Sequence, residues 1–362
     1  NIDDDLSGVI PQQVIYNYPQ NGDFLSYSYT SYTNTPSVSI QGLAAGIQLD
    51  KAASQTTRKL SWKKWTALSR GSKTILLGAW STAEIVSEVD ITYPKLNVSA
   101  LAGSGTEADP YRLTSLDDLI FLSKEARKTA VVDPAGGQFS RAFKGKYFKV
   151  MNDIDMSGYR FTPICNSYTL IFAGNLDGAG HKISNLYVED MSNGYAGLFG
   201  RIDSLTVFKN LTLVNPKVTG AGMWVGSLCG YSMGTLENIN VQGGEIINYG
   251  SATGGITGSA YVMRDCHVKG TGVLGLGGWI GGLTGEVYTS VDNSDAVDVR
   301  VLGSVSSGYT LGGAIGSLYG SGNNIYTSGL MDGMTLGASD GTGIQAGGIV
   351  GEVAGGHLTN AF

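Results

Sequence analysis

Gly254-Gly255-Ile256-Thr257-Gly258 and Gly281-Gly282-Leu283-Thr284-Gly285 are two copies of one glycine-bracketed apolar motif, and they decide the fold. Four more copies flank them. Gly197-Leu198-Phe199-Gly200 and Gly226-Ser227-Leu228-Cys229-Gly230 come before, and Gly312-Gly313-Ala314-Ile315-Gly316 and Gly347-Gly348-Ile349-Val350-Gly351 follow. The closing glycines, Gly200, Gly230, Gly258, Gly285, Gly316 and Gly351, recur at intervals of 27 to 35 residues. A second motif keeps the same period. It begins at Asn210, Asn238 and Asp265, then more weakly at Asn293, Asn324 and Asn360. Two motifs sharing one period mark a repeat architecture, whose units cannot bury their apolar faces alone and therefore stack.

Strands stacked about 4.8 Å apart pair every backbone group with the coil above and below. Period-2 alternation then assigns faces. Two residues before the closing glycine stand Leu198, Leu228, Ile256, Leu283, Ala314 and Ile349; two after it stand Ile202, Ser232, Ala260, Val287, Leu318 and Val353. These rows are expected to point inward. The closing glycine lies between them, where a missing side chain lets two coil walls approach. The next residue, Arg201, Tyr231, Ser259, Glu286, Ser317 or Glu352, is expected to point outward into solvent. The asparagine row suits a turn, because asparagine tolerates left-handed geometry and can bond its copy one coil away.

Outward parity also places Tyr261, Tyr288 and Tyr319, three residues after successive closing glycines, in one exposed ladder. Trp224 and Trp279 share a position six residues before the closing glycine, two coils apart. Exposed aromatic rows suit sugar rings and rigid protein contacts. Stacked tyrosines equally stabilise a sheet surface as cross-strand pairs with no ligand involved.

Upstream of the repeats the pattern differs. Of 54 glycines only six precede residue 98. Residues 1–97 alternate apolar and polar in short runs such as Ser37-Val38-Ser39-Ile40 and are expected to form an Ig-like or similar β-sandwich. Within them Arg58-Lys59-Leu60-Ser61-Trp62-Lys63-Lys64-Trp65 reads as a strand with a solvated basic face, or as a glycan- or anion-binding stretch. Residues 98–146 read as a linker followed by a capping helix. Ser115 is a natural N-cap, and Leu116, Leu119 and Ile120 recur on one face to about Lys128. That apolar stripe is expected to cover the open end of the solenoid. The fold class is therefore all-β: an N-terminal sandwich, a short helical cap, and a right-handed parallel β-helix over 147–362. The chain stops at Leu358-Thr359-Asn360-Ala361-Phe362, partway through the asparagine motif, and a packing partner or further chain is expected at that end.

Composition excludes several functions. A net charge of −6 with only 15% charged residues offers no basic face for phosphates, so nucleic acid is not an expected partner. Cys165, Cys229 and Cys266 form no CxxC pair, and reduced, partly buried thiols are the expectation. His181, His267 and His357 have no metal-ligand spacing, so no metal or cofactor is expected.

The repeat resembles the GLUG motif of bacterial extracellular and cell-surface proteins. Gly103–Leu119 ("GSGTEADPYRLTSLDDL"), Tyr147–Asp155 ("YFKVMNDID") and Phe172–Leu186 ("FAGNLDGAGHKISNL") resemble the lead-in of such β-helices, so the likeness covers about residues 103–362. It implies an exported protein on the surface of Gram-negative gut anaerobes, anchored by lipid through a removed N-terminal segment, with an adhesive or glycan-facing role. The implied partners are a glycan or a surface protein of a host or neighbouring cell. The family has no assigned catalytic residues.

Parallel β-helices also serve polysaccharide lyases and hydrolases, which need paired carboxylates. The candidates Asp153, Asp155 and Asp177 fall in turns, and Asp203, Glu237, Glu286 and Glu352 are assigned to no shared row. The expectation is a non-catalytic contact protein, with a carbohydrate-binding or carbohydrate-degrading β-helix as the alternative.

Overall fold

The structure is a computed structural model of the 362-residue chain. It describes residues 100–362 apart from 129–130, 133–138, 192–193, 306–309 and 336–344, and before residue 100 only the backbone of short strands. Thr57–Lys64 is a strand paired antiparallel with Ala45–Lys51 and Glu84–Thr92, while the packing of these strands as the β-sandwich expected over 1–97, and the side chains of Arg58–Trp65, lie outside what the structure describes. The chain divides into two compact units, Asn1–Lys95 and Leu96–Phe362.

The second unit is a parallel β-solenoid of about six turns. The short strands Tyr195–Ala196, Trp224–Val225, Ala252–Gly254, Trp279–Gly281, Thr310–Gly312 and Gln345–Gly347 pair in parallel as one six-stranded sheet. Each is followed by a corner at the glycine motif and then by a second strand. Phe199–Ile202, Cys229–Gln242, Thr257–Arg264, Thr284–Val305, Ile315–Leu318 and Val350–Val353 again pair in parallel, coil on coil.

The closing glycines do what their spacing predicts. A Cβ on Gly258 would stand 2.6 Å from the amide nitrogen of Val225 and 2.9 Å from the carbonyl oxygen of Ala252. On Gly285 it would meet the carbonyls of Gly258 and Trp279, both at 2.6 Å. The strand after each corner thus lies directly against the strand before it.

The asparagine corner is equally regular. Asn210, Asn238, Asp265, Asn293, Asn324 and Asn360 all have φ between 49° and 56°, so even the weaker copies turn in the left-handed region. The ladder bonds form in part: Asn238 donates to Asn210 at 2.9 Å, and Asn324 to Asn293 at 2.8 Å. A second left-handed corner, not anticipated from sequence, stacks Asn185, Asn215, Gly243, Gly270 and Asp298. Its identity varies among asparagine, aspartate and glycine, which hid the row.

One continuous core runs up the coils. Leu198, Leu228, Ile256, Leu283 and Ala314 are fully buried, as are Val218, Ile246 and Val301 on the wall beyond the second corner. All three cysteines are free and buried in this interior. Burial pushes the thiols of Cys229 and Cys266 up to about 12, and that of Cys165 up as well, so they act as small apolar side chains.

Helix α1, Leu116–Lys128, starts with Asp118 accepting bonds from the backbone N–H groups of Thr114 (2.6 Å) and Ser115 (3.1 Å), the returning half of a capping box. Its Leu119, Ile120, Leu122 and Ala126 are buried in the same core cluster as Phe148, Val150 and Ile164. Parallel pairing begins before the repeats: Tyr111–Leu113 pairs with Tyr147–Val150, and Ser140–Ala142 with Leu170–Phe172. The stretch that reads as linker thus ends in a solenoid strand.

Candidate functional site

Outward side chains on the two sides of the glycine corner meet across a furrow, as Tyr195 and Trp224 meet Tyr231 and Trp224 meets Glu286. The wall before the corner carries, in register, Tyr195, Trp224, Ala252, Trp279 and Thr310. The wall after it carries Arg201, Tyr231, Ser259, Glu286, Ser317 and Glu352. This second row was expected in solvent. Instead Arg201, Ser259, Glu286 and Ser317 are buried, because the neighbouring wall folds over them. The register keeps Glu286 and Glu352 in the one row that their offset from the closing glycine gives them, with Ser317 between, so these two of the scattered acids do share a row.

Aromatic rings line the furrow continuously. Tyr195 stacks on Trp224 with centroids 5.3 Å apart and planes 6° from parallel, and both meet Tyr231 edge-on. Tyr231 reaches Tyr261 at 6.3 Å, Tyr261 reaches Tyr288 at 5.3 Å, and Tyr288 stacks on Tyr319 at 5.1 Å and 6°. The three ladder tyrosines therefore do adjoin one another, and Tyr288 is the most open of them at 38% exposure. Trp224 and Trp279 occupy the same register two coils apart, with Ala252 between. Trp279 is half-buried.

Tyr195, Tyr231 and Arg201 are absent from the set of site residues that sequence spacing picks out. Tyr195 is hidden because its corner, Gly197-Leu198-Phe199-Gly200, is one residue shorter than the others, which shifts its offset from the closing glycine. Aligning on the first glycine of the motif instead would have found it.

Two charged groups sit within the furrow. The Glu286 carboxylate is 2% exposed and accepts bonds from Trp224 Nε1 at 2.8 Å and from the Tyr288 hydroxyl at 3.2 Å. Two coils separate Trp224 from Glu286, about 10 Å of stack, so the indole lies along the solenoid over Ala252. Small residues at 252 and 259 leave it room. Burial holds the Glu286 carboxyl above its ordinary range, against the lowering by those two bonds, and burial likewise raises Tyr288 and Tyr231. Because the folded state binds this proton more tightly than the unfolded one, Glu286 contributes stability below the ordinary glutamate range and loses it as pH rises through the raised value. Glu286→Gln, whose amide oxygen accepts from Trp224 Nε1 while its NH2 donates to the Tyr288 hydroxyl, is expected to melt higher than the parent at pH 7 and level with it at pH 4. A constant difference across that range would contradict this origin.

Arg201 lies at the other end, 9% exposed, with its guanidinium carbon 4.6 Å from the Phe139 ring centroid and 5.5–5.9 Å from those of Tyr168, Tyr195 and Tyr231. Among the described residues, four buried side-chain polar atoms lack a hydrogen-bond partner. They are Arg201 Nε, Ser259 Oγ, Thr310 Oγ1 and Thr253 Oγ1, and the first three stand on the furrow walls.

A separate open cleft of about 600 Å³ lies beside the lead-in strands, lined by Glu107, Asp109 and Asp177 against Arg112, Lys149 and Lys209, over Phe148 and Val207. Two of its acids hold turns. Asp109 accepts from Ser104 N–H at 2.9 Å and from Arg112 at 2.8 Å; Asp177 accepts from Ala179 N–H at 2.8 Å and from Asn210 at 3.1 Å. Asp153 and Asp155 do likewise, accepting from Lys182 N–H and from Asn185 Nδ2 and Ser157 N–H respectively, and those bonds hold both carboxyls below their ordinary range. Among the described residues no group of three His, Cys, Asp or Glu side chains is arranged to hold a metal.

Fold and furrow together define a parallel β-solenoid with an aromatic-lined lateral groove. No family model matches the chain. It is 36% identical over 176 residues, 46% of its length, to halomucin of Haloquadratum walsbyi, and 30% identical over 107 residues to a protein of Evansella cellulosilytica provisionally described as a Gly-rich membrane protein. The matches cover 2% and 12% of those relatives, so the chain corresponds to a small part of each. A solved protein of Bacteroides ovatus, provisionally described as an immunoglobulin A1 protease, superimposes with a TM-score of 0.49 and 20% identity over 68% of this chain and 86% of its own. Among the described residues no helix is long and apolar enough to cross a membrane.

Proposed function

We propose that this chain is a non-catalytic contact module of an exported surface protein, and that it holds saccharide chains along the aromatic furrow. The observation that carries the reading is the unbroken run of rings from Tyr195 to Tyr319. Carbohydrate rings present flat apolar faces that stack on such side chains. A solenoid repeats its surface every coil, so a chain ligand meets equivalent rings at regular steps. Relatives named halomucin and Gly-rich membrane protein support a surface setting; the lipid anchor and the adhesive role rest on the GLUG resemblance.

The test is a screen of glycans and extracellular-matrix proteins against the purified chain and its Tyr288→Ala/Tyr319→Ala double variant. Binding is expected to fall at least about tenfold, since each stacked ring contributes on the order of 1 kcal/mol. The melting temperature is expected to fall, since Glu286 loses the Tyr288 donor and a stacked ring pair is removed, so folding of the variant is checked by circular dichroism at the binding temperature. Unchanged binding by the folded variant would remove the furrow from consideration.

The cleft beside the lead-in strands favours a second reading, polysaccharide cleavage, because it brings three carboxylates to one opening. Release of new chain ends from polysaccharide, lost in Asp177→Asn, would replace the first reading with this one.

A further inference from the structure

We infer that the furrow reads acidic saccharides, and that Arg201 is the residue that takes the sugar carboxylate. This rests on the reading of the furrow as a saccharide site and adds the charge of the ligand to it.

Arg201 differs from the neighbouring arginine. Arg141 is paired with Asp203 at 2.5 Å, whereas no carboxylate among the described residues lies within 4.0 Å of the Arg201 guanidinium. Its charge is compensated only by surrounding rings, although the side chain is nine-tenths buried. A buried cation without a counter-ion is costly, and rings offset part of that cost.

The unused hydrogens point one way. Nη1 donates to the Tyr168 carbonyl at 2.9 Å. Nε has no partner, and Nη2 has only the Met233 sulfur at 3.9 Å. Nε and Nη2 together form the side-on edge of a guanidinium, the edge that accepts a carboxylate through two parallel bonds. What now covers that edge is a thioether, a weak acceptor on a flexible side chain. Met233 is itself half-exposed, at the next outward position along the strand from Tyr231. An incoming carboxylate displaces the sulfur and completes the fork. The pyranose ring attached to it then falls against Tyr195, Tyr231 and Trp224, the rings that adjoin Arg201 or one another. Farther up the furrow the buried Glu286 sits behind Trp224 and Tyr288, and the register puts it three coils from Arg201. The carboxylate is thereby directed to the Arg201 end.

The experiment compares an oligohexuronate with its carboxyl-reduced, neutral counterpart on the whole chain, by calorimetry. The parent is expected to bind the acidic oligosaccharide at least about tenfold more tightly, in keeping with a charge-assisted bidentate pair. Arg201→Lys, which keeps the charge and loses the fork, is expected to lose most of that preference while retaining the neutral affinity. Met233→Ala, which uncovers the edge, is expected to keep or increase it. The methyl resonance of Met233 is expected to shift on adding the acidic oligosaccharide and not the neutral one, a readout independent of whether Arg201 variants fold. Equal affinity of the parent for both compounds would overturn the assignment and leave the saccharide furrow standing. Binding of neither would overturn both. A preference retained in Arg201→Lys together with an unmoved Met233 methyl would place the carboxylate elsewhere and overturn the role of Arg201.

Discussion

Alanine at position 285 is expected to destabilise the solenoid by about 3 kcal/mol or more, the upper range for overpacking, and to lower the yield of folded protein. The added methyl would lie 2.6 Å from the carbonyls of Gly258 and Trp279 and 2.9 Å from the amide nitrogen of Thr253. These are backbone atoms of three strands on two coils, each locked into parallel pairs above and below. No flexible side chain is available to yield, so the walls must part and the furrow with them. Gly348→Ala is the control. It belongs to the same motif in the last copy, yet a Cβ there meets nothing within 4 Å and its φ is not left-handed. Its effect is expected to stay within about 0.5 kcal/mol, as for ordinary surface changes. Thermal melts of the two variants followed by circular dichroism decide the matter. Equal melting temperatures would mean that the glycines are not there for wall contact.

Phe172→Ala is the second large effect, expected at about 3–5 kcal/mol, the usual range for a buried phenylalanine. Phe172 is fully buried and lies between the lead-in coils and the first repeats. Its ring is 4.9 Å from Phe199, 5.4 Å from Phe148, 5.8 Å from Phe208 and 6.0 Å from Phe143. Truncation leaves a cavity whose rigid aromatic lining collapses poorly. Because coils contact only their neighbours, loss of this layer is expected to loosen the segment around helix α1 before the later repeats. Limited proteolysis is expected to cut first between residues 100 and 170, and denaturant titration gives the energy. A single cooperative loss with no early cutting would show that the layer is not a weak joint.

The repeat was legible because its signal is local and redundant. Glycine at every wall contact and asparagine at every left-handed corner are each required by backbone geometry, so six copies declare the coil. Helix α1 was legible for a related reason, since Ser115 and Asp118 cap it within one turn. The second corner was not, because asparagine, aspartate and glycine satisfy the same φ and no single letter recurs. The ladder of Tyr261, Tyr288 and Tyr319 followed from parity alone. Parity failed one row away. It placed Ser259, Glu286 and Ser317 in solvent, since alternation says which face a residue takes and nothing about what folds over that face.

What the sequence by itself determined, then, is the coil: its period, its inward rows, its glycine contacts and the tyrosines that share an outward position. What only the tertiary structure decided is the furrow. Arg201 and Glu286 became buried, and Tyr195, Trp224 and Tyr231 became neighbours, because each corner turns one outward face against another. That contact depends on the corner angle and on rings reaching across two coils, as Trp224 reaches Glu286. Neither quantity is written in the spacing of residues along a strand, because spacing encodes the faces of one wall and the furrow is made by two.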